Sequence, residues 1–376
     1  MIYEMNMMAT ENHEDQSPSE ALGMLAREAI LHSNSRESII DSIIEIREIP
    51  GTDNFYNAAA WQDGDKIHLL GRHVEVAGEY GEPDVGSLVL KTLGQDGNII
   101  SSKEVWQPKD GAHLLEDARA LPLSDGRIAF GITAVDRNKT PHPAVLIVST
   151  EELTNGTLPE PKIIEIMGQG DQTTPLGENT SELAGKNVTA ISSNLFAFRP
   201  EGDNNNHQLR VFQYNEDSEV SHQQYINFPK DIPWAEWRIG TTMPPIWIND
   251  HEAIFPIHGI NKVADKYVYS IGSARLVKDE NGVLSVDNIS SEALIDPDLF
   301  AEMYDSDEVE LHSERRVVYC CGGVPVKSAN GELESLKLYV NVGDRRTVEV
   351  TVSVAALTKG WKNNQFTTEQ LVSQVA

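Results

Sequence analysis

The sequence predicts an all-β fold with a short N-terminal helical extension. From residue 51 onward, short runs rich in β-branched and aromatic residues alternate with turns of Gly, Asp, Asn and Pro. No long helical pattern separates these runs, which argues against a parallel βαβ sheet and favours an antiparallel architecture. The runs also fall into five groups of about fifty residues, each long enough for a four-stranded propeller blade.

The first fifty residues differ in character from the rest. We predict a disordered tail over 1–16 and a helical extension over 17–50. The extension begins with Ser17-Pro18-Ser19-Glu20, a capping box with proline at the first helical position. Further along, an apolar stripe at helical spacing comprises Ile39, Ile40, Ile43 and Ile44, which predicts a second helix. These helices would cover the main domain or form a contact in a homo-oligomer.

The strand groups define the domain predicted over 51–376. They span residues 55–105, 110–165, 183–228, 240–290 and 308–356. Hairpin turns within them include Asp96-Gly97, Asp125-Gly126 and Asn281-Gly282. This pattern fits a five-bladed β-propeller, and the same strand density also fits a Greek-key sandwich.

Composition limits the partners. Asp and Glu exceed Lys and Arg by 58 − 30 = 28, so the chain repels nucleic acid and anionic lipid. No run of about 18 apolar residues and no secretory signal is visible, so neither a membrane nor export is expected, and we predict a cytoplasmic protein. Cys320 and Cys321 are adjacent, which favours buried strand thiols over a disulfide.

Polar residues recur at strand ends or in loops within the groups, and in a propeller such positions converge on the central channel. Each alone is more typical of a solvated strand end than of a site. Four tryptophans could either form apolar platforms for sugar rings or pack in the blade core. They are Trp61, Trp234, Trp237 and Trp247. The histidines show no metal-ligand spacing and no glycine-rich nucleotide loop is present, so we expect neither a metal nor a cofactor.

Taken in order, several segments resemble glycoside hydrolase family 130, which contains mannoside phosphorylases and mannosidases. Glu116-Asp117-Ala118-Arg119 resembles the family's Glu-Asp-Pro-Arg signature, with alanine in place of proline. The other segments that carry the resemblance are Phe55–Ala59, Leu69–Arg72, Gly185–Asn187, Pro244–Ile246, Phe255–Gly259, Tyr269–Gly272 and Leu338–Asp344. The resemblance extends over about residues 51–356.

The resemblance implies a five-bladed β-propeller that cleaves β-mannosides or related glycosides with inversion. It implies that Asp117 is the general acid, and that the sugar is positioned by Asn57, Arg72, Glu116, Arg119 and Asp344. In the phosphorylases, inorganic phosphate is the co-substrate and replaces the water that an inverting hydrolase activates. The implied phosphate cradle is Arg137, Asn138, Lys186 and a protonated His258.

Two other functions stay open. A water-using glycosidase would need a carboxylate base, for which Glu75, Glu79 and Glu182 are candidates. A propeller that binds carbohydrate without cleaving it is the other, since Ala118 departs from the signature.

Overall fold

The computed structural model describes residues 43–76, 85–108, 114–156, 158–164, 184–201, 206–215, 220–263, 266–300, 315–344, 346–359 and 361. These residues form five antiparallel sheets arranged as blades in a ring, so the chain is a five-bladed β-propeller. The predicted tail 1–16 and the part of the predicted extension before residue 43 lie outside the described residues.

Blades 1 to 3 follow one another along the chain, each as a four-stranded meander. Blade 1 contains β2 (Phe55–Asp63), β3 (Lys66–Val76), β4 (Val85–Leu93) and β5 (Ile99–Trp106). Blade 2 contains β6 (Leu114–Pro122), β7 (Arg127–Val135), β8 (Pro141–Ser149) and β9 (Lys162–Ile163). Blade 3 contains β10 (Gly185–Ala190), β11 (Leu195–Pro200), β12 (Gln208–Gln213) and β13 (Ser221–Asn227).

Blades 4 and 5 vary this plan. Blade 4 contains β14 (Arg238–Thr241), β15 (Ile246–Trp247), β16 (Glu252–Val263), β17 (Lys266–Lys278), β18 (Leu284–Ile289) and β19 (Arg315–Arg316). Blade 5 contains β20 (Val318–Lys327), β21 (Leu333–Val342), β22 (Arg346–Ser353) and, at its outer edge, β1 (Ile43–Glu48). Helix α1 (Thr150–Asn155), helix α2 (Val354–Leu357) and a 3₁₀ turn (Pro297–Phe300) lie between or after these strands.

Strand β1 corrects the sequence interpretation of residues 43–48, which fell in the predicted helical extension. Its backbone pairs with β22, from Ile43 opposite Val352 to Glu48 opposite Val348. The isoleucines that suggested a helical stripe are β-branched and also suit a strand. Ile43 packs on the blade 5 core while Ile44 is 62% exposed, so the two do not share one apolar face.

The cores lie between the blades, because each blade presents apolar side chains on both faces. Phe130 of blade 2 packs with Leu70 of blade 1, and Phe196 of blade 3 packs with Val145 of blade 2. Similar clusters join blades 3 and 4, blades 4 and 5, and blades 5 and 1. Both cysteines are buried free thiols, as the sequence predicted.

The first strands of the blades, β2, β6, β10, β14 and β20, run along the inside of the ring and contact their neighbours around the axis. Their N-terminal ends, together with the C-terminal ends of the second strands, open at the same end of the channel. This arrangement brings residues that are far apart in sequence to one cavity.

Candidate active site

A cavity of about 510 Å³ opens at this end of the channel and is lined by residues from all five blades. This volume lies within the range that holds small-molecule ligands, about 300 to 1,000 Å³. Seven of the predicted site residues line it: Asn57, Arg72, Glu116, Asp117, Lys186, His258 and Asp344.

Three of the lining side chains come from the same unusual backbone position in successive blades. Asn57, Asp117 and Asn187 have φ values of 53°, 54° and 60°, in the left-handed region. In each case the pairing register between the first and second strands shifts across that residue. Asn and Asp tolerate this conformation better than other L-residues, because their short polar side chains bond locally. The bulge thus lets a first-strand residue point into the cavity.

The two oxygens of the Asp117 carboxyl group lie near side chains from two other blades. The Asn57 amide donates to Oδ1 at 2.8 Å, and the Tyr319 hydroxyl lies 3.4 Å from Oδ2. Asn57 is itself held by Asn341, whose amide donates to Asn57 Oδ1 at 3.1 Å and to Asp344 Oδ1 at 2.6 Å. Asp117 is therefore oriented by side chains from blades 1 and 5.

Arg119 lies behind the cavity wall and is fully buried, so it does not line the cavity as a sugar-binding residue would. Its guanidinium donates to the carbonyl oxygens of Asp117 at 2.7 Å and Thr241 at 3.1 Å. It also donates to the Tyr319 hydroxyl at 2.7 Å and to Asn187 Oδ1 at 3.2 Å. Arg119 thus ties blades 2, 3, 4 and 5 together beneath Asp117.

Tyr319 completes this buried group. Its hydroxyl donates to Asn187 Oδ1 at 2.6 Å while it accepts from Arg119. Burial, the largest influence, raises the pKa of Tyr319 well above its usual value, so the hydroxyl stays protonated. Sequence reasoning had no signal for Tyr319, because this residue lies within an apolar strand.

His258 corrects a second expectation. It is buried, and burial together with the nearby charges of Arg119 and Arg199 lowers its pKa well below 6.5. The imidazole is therefore neutral near pH 7, whereas the predicted phosphate cradle required a protonated histidine. Its Nε2 lies 3.4 Å from the Asn187 amide, so it can contribute a hydrogen bond but no charge.

Positive side chains that line the cavity contact its two glutamates. Arg72 lies 3.5 Å from Glu116, whose other oxygen is 4.0 Å from the Lys186 ammonium. Arg199 and Arg238 both contact Glu201, at 2.9 Å and 3.5 Å. Burial would raise the pKa of Glu201, but Arg199, Arg238 and Lys186 outweigh burial and lower it, so Glu201 is ionised.

Arg137 and Asn138 do not reach the cavity. Both are exposed in the turn between β7 and β8, where the Asp136 carboxylate accepts from the backbone N–H of Asn138. The cation that this turn brings to the cavity is Lys139, at a φ of 64°. Of the carboxylates considered as bases, Glu79, Glu182 and the side chain of Glu75 lie outside the described residues.

Of the four tryptophans, Trp237 lines the cavity. One face of its ring stacks on Tyr267 at 4.6 Å, and Arg238 lies 4.2 Å from the ring centre. Trp61 and Trp234 are buried between blades, and Trp247 donates its indole N–H to the Ile191 carbonyl. Core packing therefore accounts for Trp61 and Trp234.

Solved structures share this architecture. The chain is similar to a glycosyl hydrolase from Bacteroides ovatus, with a TM-score of 0.56, 15% identity, and 82% of this chain and 90% of that chain covered. It is also similar to β-1,2-mannobiose phosphorylase from Listeria innocua in complex with β-1,2-mannobiose, with a TM-score of 0.54, 12% identity, and coverage of 83% and 95%. These matches establish the fold.

A third match, with a TM-score of 0.55, 13% identity and coverage of 83% and 95%, concerns glycoside hydrolase family 130. That family of mannoside phosphorylases contains glycoside hydrolases that target β-1,2 mannosidic linkages in Candida mannan. Neither protein-family models nor curated proteins match the sequence. At these identities the structural matches carry the fold and agree with the resemblance seen in the sequence.

Two further observations concern the described residues only. No group of three or more His, Cys, Asp or Glu side chains among them is placed to hold a metal ion. In the same part of the chain, no helix has the length and apolar character needed to cross a membrane.

Several cavity residues were missed by sequence reasoning. Arg199, Glu201 and Arg238 belong to strand ends in blades 3 and 4, and Asn187 was noted only as part of a motif. A usable signal was the Asn or Asp two or three residues into the first strand of blades 1 to 3, which marks the left-handed bulge.

Proposed function

We propose that this protein is an inverting enzyme that cleaves β-mannosides or related glycosides, most readily by phosphorolysis to a sugar 1-phosphate. The observation that carries the proposal is Asp117, a carboxyl group held at a left-handed bulge in a cavity that cationic side chains also line. The resemblance to glycoside hydrolase family 130 and the fold shared with mannoside-active enzymes support it.

In this proposal Asp117 supplies the proton for the leaving oxygen, directly or through a sugar hydroxyl. A phosphate oxygen forms the new bond to the anomeric carbon from the opposite face as the glycosidic bond breaks. Asn57 and Tyr319 orient the carboxyl group, and Asn57, Arg72 and Asp344 offer hydrogen bonds to the sugar. General acid catalysis of this kind contributes roughly 10²- to 10⁴-fold.

Phosphorolysis is favoured over hydrolysis by how the cavity carboxylates are engaged. Glu116 lies near Arg72 and Lys186, so its carboxylate already has cationic partners. Glu201 is held by two arginines that lower its pKa, which makes it a weak base for activating water. Phosphate is already an anionic nucleophile and needs cations rather than a base. Hydrolysis by water remains the second candidate function.

The deciding experiment is cleavage of β-1,2-mannobiose, the sugar bound by the Listeria innocua enzyme, with and without phosphate. We expect mannose 1-phosphate to form, and cleavage to depend on phosphate concentration. Equal cleavage in phosphate-free buffer, with mannose as the only product, would identify a hydrolase. Sugar binding without cleavage across a panel of glycans would identify a binding protein instead.

Asp117→Asn tests the acid. The change keeps the size of the side chain and removes its proton-donating ability, so we expect kcat to fall by about 10²- to 10⁴-fold. Asp344→Asn is the matched comparison, because Asp344 also lines the cavity but has no proposed role in proton transfer. Full activity of Asp117→Asn would remove the acid assignment.

A further inference from the structure

Glu201 is a carboxylate held inside the cavity by cations from blades 3 and 4. Arg199 donates to one carboxylate oxygen at 2.9 Å, and Arg238 lies 3.5 Å from the other. Lys186 also acts on the charge of Glu201. Glu201 thus sits where three cationic side chains from two blades converge.

Positive charge is concentrated around Glu201. Three cations (Lys186, Arg199 and Arg238) act on this one carboxylate, and Lys186 also lies 4.0 Å from Glu116. The whole chain carries a net charge of −28, so this local group of cations stands against the overall composition. Cations held this close together repel one another, and a bound anion offsets that repulsion.

The two arginines are also fixed in place. Arg199 is only 5% exposed. Arg238 donates from Nε to Asn206 Oδ1 at 2.9 Å and lies over the Trp237 ring, which also stacks with Tyr267. A ligand that binds here does not need to order these long side chains, which removes part of the entropy cost of binding.

We propose that Lys186, Arg199 and Arg238 form a binding site for a phosphate group, and that Glu201 occupies it as an internal counter-anion that competes with the ligand. The inference deepens the proposed function by giving the phosphate site a residue set different from the one implied by the sequence resemblance. Lys186 is common to both sets, whereas Arg137 and Asn138 are replaced by arginines that line the cavity.

If Glu201 competes with phosphate, substitutions of Arg238 and Glu201 should change the affinity for phosphate in opposite directions. Arg238→Gln removes a charged donor, so orthophosphate binding weakens by roughly tenfold or more. Glu201→Gln keeps the shape and removes the competing negative charge, so binding tightens by at least about threefold. A merely structural role for the pair would make both changes act in the same direction.

The measurement is isothermal titration of orthophosphate into the sugar-free protein at pH 7.5. Arg275→Gln is the matched control, because the Arg275 side chain is as exposed as that of Arg238, at 18%, and also pairs with a glutamate, but lies away from the cavity. We expect wild-type affinity from this control. Mannose 6-phosphate titrated in parallel shows whether the site takes free phosphate or a phosphate carried by the sugar.

The outcomes separate this site from the proposed reaction. Opposite shifts for Arg238→Gln and Glu201→Gln support the site with either ligand, even if no phosphorolysis is found. Phosphate-dependent cleavage whose KM for phosphate is the same in both variants overturns the site and leaves the reaction standing. The site is also overturned if neither orthophosphate nor mannose 6-phosphate binds. The same holds if Arg137→Gln weakens phosphate binding and Arg238→Gln does not.

Discussion

At the scale of single residues, the candidate site depends on side chains that hold other side chains. Asp117 receives a hydrogen bond from Asn57, Asn57 receives one from Asn341, and the Tyr319 hydroxyl lies close to the other carboxyl oxygen. Beneath them, Arg119 donates to Tyr319 and Asn187. Such a connected network fixes one arrangement, because the loss of any member leaves a buried polar partner unsatisfied.

Tyr319→Phe tests this network. The change removes the acceptor for Arg119 and the donor to Asn187, both buried, so we expect the free energy of unfolding to fall by about 1 to 3 kcal/mol. Urea denaturation gives the value. Tyr225→Phe serves as control, since Tyr225 is 45% exposed and should change stability by less than about 0.5 kcal/mol. Equal effects of the two changes would contradict the network.

His258 makes stability depend on pH. Its folded pKa is lowered, mainly by burial, so below pH 6.5 the unfolded chain binds a proton that the folded protein does not. Stability from this group is present above pH 6.5 and is lost as the pH falls. Between pH 7.5 and 5.5, the wild type should lose about 1 kcal/mol more than His258→Gln does.

Urea denaturation of both proteins at the two pH values measures this difference. His251→Gln is the control, because His251 is exposed and its removal should leave the pH dependence of the wild type intact. If His258→Gln lost as much stability on acidification as the wild type, the histidine would not be the source of the effect.

At the scale of strands, the sequence predicted most of the fold and less of the site. The turns Asp125-Gly126 and Asn281-Gly282 join paired strands, as predicted. Both glycines have a positive φ, which a tight hairpin turn requires, so these turns can be recognised from the local sequence alone. Strand β1 was missed because isoleucines at spacings of three and four fit a helix as well. Its identity as a strand depends on the open edge of β22, which is some 300 residues away in sequence.

The site was harder to predict for a related reason. Arg137 and Lys139 are two residues apart in one turn, and only the turn geometry decides that Lys139 reaches the cavity. Likewise, Arg199 and Arg238 become neighbours through packing of blade 3 on blade 4, and each looks like an ordinary strand-end charge in the sequence. Convergence at a ring axis is a property of the assembled blades.

Gly131 lies where β7 of blade 2 approaches β10 of blade 3, and this close approach requires a glycine. A Cβ atom there would lie 2.4 Å from the Val188 carbonyl oxygen of blade 3, closer than such atoms approach. We expect Gly131→Ala to lower the free energy of unfolding by about 1 to 3 kcal/mol in urea denaturation. Gly94→Ala is the control, since its new Cβ would meet flexible side-chain atoms at 3.2 Å; a similar loss there would contradict the interpretation.

At the scale of the whole molecule, the ring is closed by joining the two ends of the described chain in one sheet. Blade 5 takes three strands from the C-terminal part and its outer strand, β1, from the N-terminal part. Arg47 of β1 extends this closure, because it donates to the buried Glu349 of β22 at 2.8 Å and to the Asp96 carbonyl of blade 1 at 2.9 Å. The cavity needs residues from all five blades, so its geometry depends on this closure.

Two truncated chains, one beginning at Ser42 and one at Ile49, test ring closure directly. Both lack residues 1–41, and they differ only in Ser42 and β1, so a difference in stability between them is assigned to that strand. Loss of β1 removes its backbone hydrogen bonds to β22 and the contacts of Arg47, and leaves the Glu349 carboxylate with fewer partners. We expect the shorter chain to be less stable by about 3 kcal/mol or more.

The shorter chain also exposes the edge of β22, which is a template for pairing between molecules, so it should associate at concentrations at which the longer chain does not. Urea denaturation measures the stability and size-exclusion chromatography the association. Phosphate binding by the two chains adds a readout at the cavity, where disturbed closure should weaken binding in the shorter chain alone. If both chains unfolded at the same urea concentration, β1 would be dispensable and closure would rest on the first-strand contacts between blades 5 and 1.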